Sequence, residues 1–225
     1  MKTIALIAQK GGTGKTTLAL SMAVAAEQAG GTAVIIDLDP QATACKWSDR
    51  RKADRPLVVD AQAPRLAKAL QAAEERGVDL VIVDTPARSE TAALEAARRA
   101  DLVIIPCRPQ IYDLETVPTS RELIAFAGAP PALVVLNAVP PRGSRAEQTR
   151  QALTDFGMPV CSPTLGHRAA FGDAAMQGLT ALEYQPSGKA AGESRQVYKS
   201  ISNYLSMSQN GELANEQKRL VNSAH

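Results

Sequence analysis

Gln9-Lys10-Gly11-Gly12-Thr13-Gly14-Lys15-Thr16-Thr17 follows an apolar run, Thr3 to Ala8, and opens into a helix-like run, Leu18 to Ala29. Strand, glycine loop and helix in succession form the setting that a phosphate-binding loop needs. Glycines let the backbone bend tightly and turn several N–H groups toward phosphate oxygens. The helix behind them adds the positive end of its dipole. Gly11, Gly12, Thr13, Gly14, Lys15, Thr16 and Thr17 are therefore expected to hold a nucleotide. Lys15 would reach the β- and γ-phosphates, and the Thr16 hydroxyl would ligate Mg²⁺. The general pattern would put its first glycine at position 9, which is Gln9, and a second lysine, Lys10, comes next. A chance glycine turn is the plain alternative, and the flanking strand and helix argue against it.

Working outward, 225 residues suit one α/β domain able to bury a large core. Apolar residues make up 45% of the chain, too many for general disorder. Residues 1–141 carry 16 basic and 16 acidic side chains, and residues 142–225 carry 9 and 7. With no basic domain, any nucleic-acid binding must come from a local patch. Cys45, Cys107 and Cys161 are odd in number, widely spaced and without a CxxC, which reads as reduced thiols. No run of 18 apolar residues would span a membrane. The N-terminus lacks a signal-peptide pattern, so a cytoplasmic location is expected.

Strand-like runs alternate with helical ones. The expected strands are Thr3–Ala8, Ala33–Asp37, Leu57–Asp60, Leu80–Asp84, Leu102–Pro106, Leu133–Asn137 and roughly Val160–Leu165. Helices are expected near 16–29, 41–52, 64–76, 89–99, 114–127, 144–156, 168–177 and 190–205. Several strands are apolar throughout, such as Leu80-Val81-Ile82-Val83, which means burial on both faces. The alternation predicts a doubly wound α/β fold, a mostly parallel sheet with helices on both faces and its ligand at the carboxyl ends of the strands. Residues 1–205 read as one P-loop ATPase domain. The stretch 206–225 is polar and reads as a flexible or partner-dependent tail, although Leu213, Leu220 and Val221 could line one short helix.

Two of the acid-bearing strand ends point to chemistry. Ile35-Ile36-Asp37-Leu38-Asp39-Pro40-Gln41 brings Asp37 and Asp39 beside the phosphate loop, where they could orient Mg²⁺ waters or an attacking water. A solvated turn with Asp39 capping the next helix is the bland alternative. Leu80-Val81-Ile82-Val83-Asp84 has the Walker B form, four apolar residues and then an acid that would hold Mg²⁺. No Ser-His-Asp arrangement is visible. Phosphoryl transfer needs only positioning and electrostatics, which these residues offer.

The lysine-bearing loop Lys10 to Thr16, with Asp37-Leu38-Asp39-Pro40-Gln41 and Val83-Asp84-Thr85-Pro86, resembles the deviant Walker A partition ATPases of the ParA family, over roughly residues 1–205. The chain is similar to the small ParA/ParF type. The resemblance implies an ATP hydrolase that uses ATP and Mg²⁺. It implies that Lys10 is the signature lysine, reaching across a nucleotide-sandwich homodimer to phosphates bound by the other subunit. It further implies that Asp39 positions the hydrolytic water, that Asp37 supports the Mg²⁺ network, and that Asp113 is an acid near the dimer face. An N-cap for a helix starting at Leu114 is the plainer reading of Asp113. Asn137 is expected to hydrogen-bond the adenine, with the loop near Pro163 and Arg168 covering the ring. A turn role for Asn137 stays open.

By the same resemblance, the dimer binds nonspecific DNA, and a small centromere-binding protein of the ParB/ParG kind stimulates hydrolysis. Arg195 and Lys199, four apart in a helix, are the expected phosphate contacts, with Lys189, Arg142 and Arg145 as further cations. The expected function is DNA partition, in a protein that is cytoplasmic, nucleoid-associated and not membrane-bound. Four alternatives stand beside it: positioning of a carboxysome, chemoreceptor cluster or transfer DNA; a MinD-like membrane-positioning ATPase, needing a basic amphipathic C-terminal helix; a reductase ATPase with a bridging iron–sulfur cluster; and an adaptor without activity.

Overall fold

A computed structural model describes residues 1–209. Six strands form one sheet: β1 (Lys2–Leu6), β2 (Ala33–Asp37), β3 (Leu57–Asp60), β4 (Leu80–Asp84), β5 (Leu102–Cys107) and β6 (Ala132–Leu136). Their order is β3-β2-β4-β1-β5-β6, and every pairing is parallel. The fold is doubly wound, as the alternation of runs predicts, because continuous apolar strands need cover on both faces.

Side-chain alternation divides the core into two layers. Ile4, Leu6, Ile35 and Ile82 face one side, packed with Trp47, Leu182, Val197 and Ile201. Ala5, Ile7, Ile36 and Val83 face the other, packed with Leu66, Ala96, Ile124 and Leu153. The first side is covered by α1 (Lys15–Gln28), α2 (Thr43–Arg50), α9 (Ala181–Tyr184) and α10 (Lys189–Gln209). The second is covered by α3 (Leu66–Glu75), α4 (Glu90–Ala97), α6 (Val117–Phe126) and α7 (Arg145–Asp155). Two further α-helices lie among the described residues, α5 (Ile111–Leu114) and α8 (Ala169–Met176). Ten of the fourteen residues of α1 are buried, since it lies between the sheet and α10.

Four expectations are corrected. The segment Val160–Leu165 is no seventh strand, because it makes one isolated bridge, at Val160, and the next lies beyond it at Gly166. Pro163 has no N–H to continue a ladder there. The helix expected near 114–127 begins only at Val117, as α6 with Pro118 in its first turn, and a separate short helix, α5, precedes it. The helix expected over 41–52 starts only at Thr43, after Ala42 at φ 50°. The last helix, expected near 190–205, runs on as α10 to Gln209; the rest of the expected tail, with Leu213, Leu220 and Val221, lies outside the described residues. No described helix is long and apolar enough to cross a membrane.

Candidate functional site

The phosphate loop leaves β1 at the middle of the sheet and enters α1 at Gly14. Gly12 (φ 73°) and Gly14 (φ 96°) lie in the left-handed region, where a side chain is strained. Gly14 is required for a second reason: a Cβ there would stand 2.0 Å from Asn137 Nδ2. That amide donates to the Thr13 carbonyl over 2.7 Å, in a buried contact. The first turn of α1 has no side-chain cap and no acid, so its amides are left for an anion. The Lys15 ammonium is buried and donates to the Ala8 carbonyl over 3.1 Å. Burial draws its pKa down, while the charges of Asp84 and Asp39 pull it up. A bound phosphate would supply that buried ammonium with a counter-charge.

Parallel register brings the acids to the loop. Leu6 lies level with Asp84, Asp84 with Asp37, and Asp37 with Asp60. The Thr16 hydroxyl donates to Asp84 Oδ2 over 2.6 Å, and Asp84 Oδ1 is buried without a partner. Burial pushes the Asp84 carboxyl up to about 7, against the bond from Thr16. A hydroxyl beside an orphaned carboxylate oxygen fits Mg²⁺, which takes one or two protein oxygens and completes its shell with phosphates and water. Thr16 and Asp84 would hold the ion.

Asp37 does something else. Its Oδ1 accepts from the Asp39 amide, and its Oδ2 accepts from the amides of Ala44 and Cys45. Both oxygens are thus engaged by backbone, which anchors the Asp39 loop on the first turn of α2. Burial raises the Asp37 pKa despite these three bonds. Asp39 is half-buried, and its Oδ1 accepts from the Gln41 amide over 2.9 Å, shaping the loop that carries it. Its charge is close enough to be felt by both Lys15 and Asp84.

Lys10 folds back within its own chain. Its ammonium lies 2.8 Å from Asp113 Oδ1 and 5.3 Å from the centre of the Tyr112 ring. Asp113 is 1% exposed and lies within α5, so it is not the N-cap of a helix starting at Leu114. Arg108 holds the same carboxylate with Nε at 2.7 Å and Nη2 at 3.0 Å. Burial would raise the Asp113 pKa, but bonds from Arg108 and Lys10 bring it below its ordinary value.

At the other flank, residues 159–167 run beside β6 and its extension, through bonds such as Leu165 N–H to the Leu136 carbonyl and Val139 N–H to the Leu165 carbonyl. Pro163 is half-buried in this loop. Arg168 is held from α10: its Nε and Nη2 bond the Glu193 carboxylate, which also accepts from the Gly166 amide. The Asn137 side-chain N–H clamps the phosphate loop, so the residue does more than shape a turn. Arg195 and Lys199 are exposed one turn apart on α10, and Arg195 donates to the Pro186 carbonyl.

Sequence reasoning missed Arg108, whose only signal is a cation at the end of a strand five residues before Asp113. It also missed Arg88, held at φ 62° in the loop after Asp84, a strained backbone of the kind that gathers at sites.

A protein-family model described as the CobQ/CobB/MinD/ParA nucleotide binding domain matches residues 4–181. The chain is 31% identical over 207 residues to the maintenance of carboxysome distribution protein A of Gloeobacter kilaueensis, covering 91% of this chain and 94% of that one. It is 26% identical over 242 residues to the chromosome-partitioning ATPase Soj of Thermus thermophilus, covering 89% and 95%. Among solved structures, the Pyrococcus furiosus cell division ATPase MinD superimposes with a TM-score of 0.72 at 20% identity, over 90% of this chain and 99% of that one. Cobyrinic acid a,c-diamide synthase from Mycobacterium smegmatis, solved with an ATP analog and magnesium, gives 0.74 at 17% identity, over 91% and 95%.

Proposed function

Since the chain belongs to the CobQ/CobB/MinD/ParA nucleotide-binding family, we propose that it is a Mg²⁺-dependent ATP hydrolase of the ParA type, which positions a cargo by cycling between a monomer and an ATP-bound homodimer. One observation carries this reading: the orphaned Asp84 oxygen beside the Thr16 hydroxyl, at the mouth of a loop that bears two lysines. Lys15 and the first amides of α1 bind the triphosphate. Mg²⁺, when bound, neutralises charge on the phosphates and polarises the transferring group. Asp39 accepts a hydrogen bond from the attacking water and orients it. Lys10 leaves Asp113 and neutralises phosphate charge across the dimer, where exclusion of water strengthens the interaction.

The exposed pair Arg195 and Lys199 supplies salt-sensitive, sequence-blind contacts to DNA in the cytoplasm, and the nucleoid is the surface on which the cycle runs. A small partner of the ParB/ParG kind stimulates hydrolysis and releases the dimer. Partition of DNA is the first cargo reading. Positioning of a protein compartment is the second, favoured by the 31% identity to a carboxysome distribution protein against 26% to Soj.

Sedimentation with ADP, ATP and a nonhydrolysable analogue tests the cycle. A twofold mass increase with ATP and the analogue, and none with ADP, is expected. A mass indifferent to ATP rejects the sandwich dimer.

A further inference from the structure

The Asp113 carboxylate is shared by two cations, and they hold it differently. Arg108 gives three donors: Nε at 2.7 Å and its own backbone N–H at 3.3 Å to Oδ2, and Nη2 at 3.0 Å to Oδ1. Lys10 gives one contact, at 2.8 Å to Oδ1, from a side chain 31% exposed. The guanidinium is a rigid fork that matches a carboxylate edge-on, whereas the ammonium is a point charge on a flexible stem. The fork also lies beside the phosphate loop, with Nη1 3.8 Å from where a Cβ on Gly12 would stand. One cation is therefore fixed and the other is removable.

This asymmetry bears on the reach of Lys10. Withdrawing the sole counter-charge of a buried carboxylate is heavily disfavoured, because an uncompensated charge stays behind in a dry place. With Arg108 present, Asp113 keeps a cation and three hydrogen-bond donors after Lys10 departs.

We propose that Arg108 is a positioning residue that holds Asp113 satisfied, so that Lys10 is free to leave it for the phosphates of a second copy of this chain. The destination of Lys10 rests on the dimer reading above; its release from Asp113 does not. Arg108 thereby sets how readily the ligand-free monomer becomes competent to pair.

Two readouts separate these parts. In ligand-free protein, the Lys10 amine is labelled with trace acetic anhydride and quantified by mass spectrometry against exposed Lys46. Arg108→Gln lowers Lys10 labelling about tenfold, since the lysine becomes the only counter-ion of Asp113. Adding Asp113→Asn to Arg108→Gln restores it. Equal labelling in wild type and Arg108→Gln overturns the proposal, as does a double variant that stays protected. If Arg108→Gln does not fold, Arg108→Lys, which keeps the charge and loses the fork, is expected to lower labelling two- to threefold, and unchanged labelling overturns the proposal.

In the second readout, the protein concentration for half-maximal dimerisation with ATP rises about tenfold in Arg108→Gln and returns toward wild type in the double variant. Wild type that never dimerises with ATP rejects the dimer reading, while the labelling comparison still decides the role of Arg108.

Discussion

Thr16 and Asp84 are joined by a 2.6 Å hydrogen bond that uses one carboxylate oxygen and leaves the other buried and unpaired. The Asp84 carboxyl is pushed up to about 7 from 3.8, mainly by burial. A raised pKa means the folded chain holds this proton more tightly than the unfolded chain. Its stabilising contribution is complete below about pH 4 and is lost as pH rises toward about 7. Asp84→Asn should therefore stabilise ligand-free protein at pH 8 by an amount on the order of 2–4 kcal/mol, and do little at pH 4. The same variant should lose the thermal shift that Mg²⁺ and ATP produce together. Urea unfolding at the two pH values, and melting with and without the ion, check both halves.

Gly14 and Asn137 meet so closely that neither is free to change alone. Gly14→Ala should destabilise the chain by about 2–3 kcal/mol through a left-handed backbone and the amide contact together. Asn137→Ala, which strands the Thr13 carbonyl, should lose about 1–2 kcal/mol. The double variant should lose less than the sum, because the contact is removed but the strain at φ 96° is not. Denaturant midpoints for the four proteins measure the coupling, and strict additivity would remove the clamp.

The two loop lysines should separate by phenotype. Lys15→Ala should lose ATP binding, since its buried ammonium sits over the loop. Lys10→Ala should still bind ATP as a monomer yet neither dimerise nor hydrolyse it. Fluorescent-nucleotide titration beside sedimentation tells these apart, and loss of binding in both variants would deny Lys10 a separate role.

Arg195→Glu with Lys199→Glu should abolish binding to random duplex DNA at moderate salt and leave ATP binding intact. Two reversed charges on one face of α10 turn attraction to phosphates into repulsion. Unchanged DNA affinity would move the interface elsewhere.

Much of the site is legible in the chain because its signals are local. Gly11 to Thr17 sit between a strand and a helix, and Asp84 ends an apolar strand, so both could be read without tertiary knowledge. Asp37 looked the same as Asp84 in one dimension. The difference is what lies above each acid: two amides of a helix start and one loop amide for Asp37, and no side-chain donor beyond Thr16 for Asp84. Arg168 likewise looked free until α10 brought Glu193 to it. Val160–Leu165 had strand composition, but only the path of the chain beside β6 shows where Pro163 interrupts the ladder.

The sequence by itself determined the layered α/β fold and the phosphate loop, because apolar periodicity and glycine spacing act within a few residues of one another. Only the tertiary structure decided which charges are held and which are left over. Asn137 reaches a loop 124 positions away, and Arg108 and Lys10 converge on one carboxylate from two different strand ends. A side chain's partner depends on what the sheet register and helix packing bring to it, and its charge and role follow from that partner.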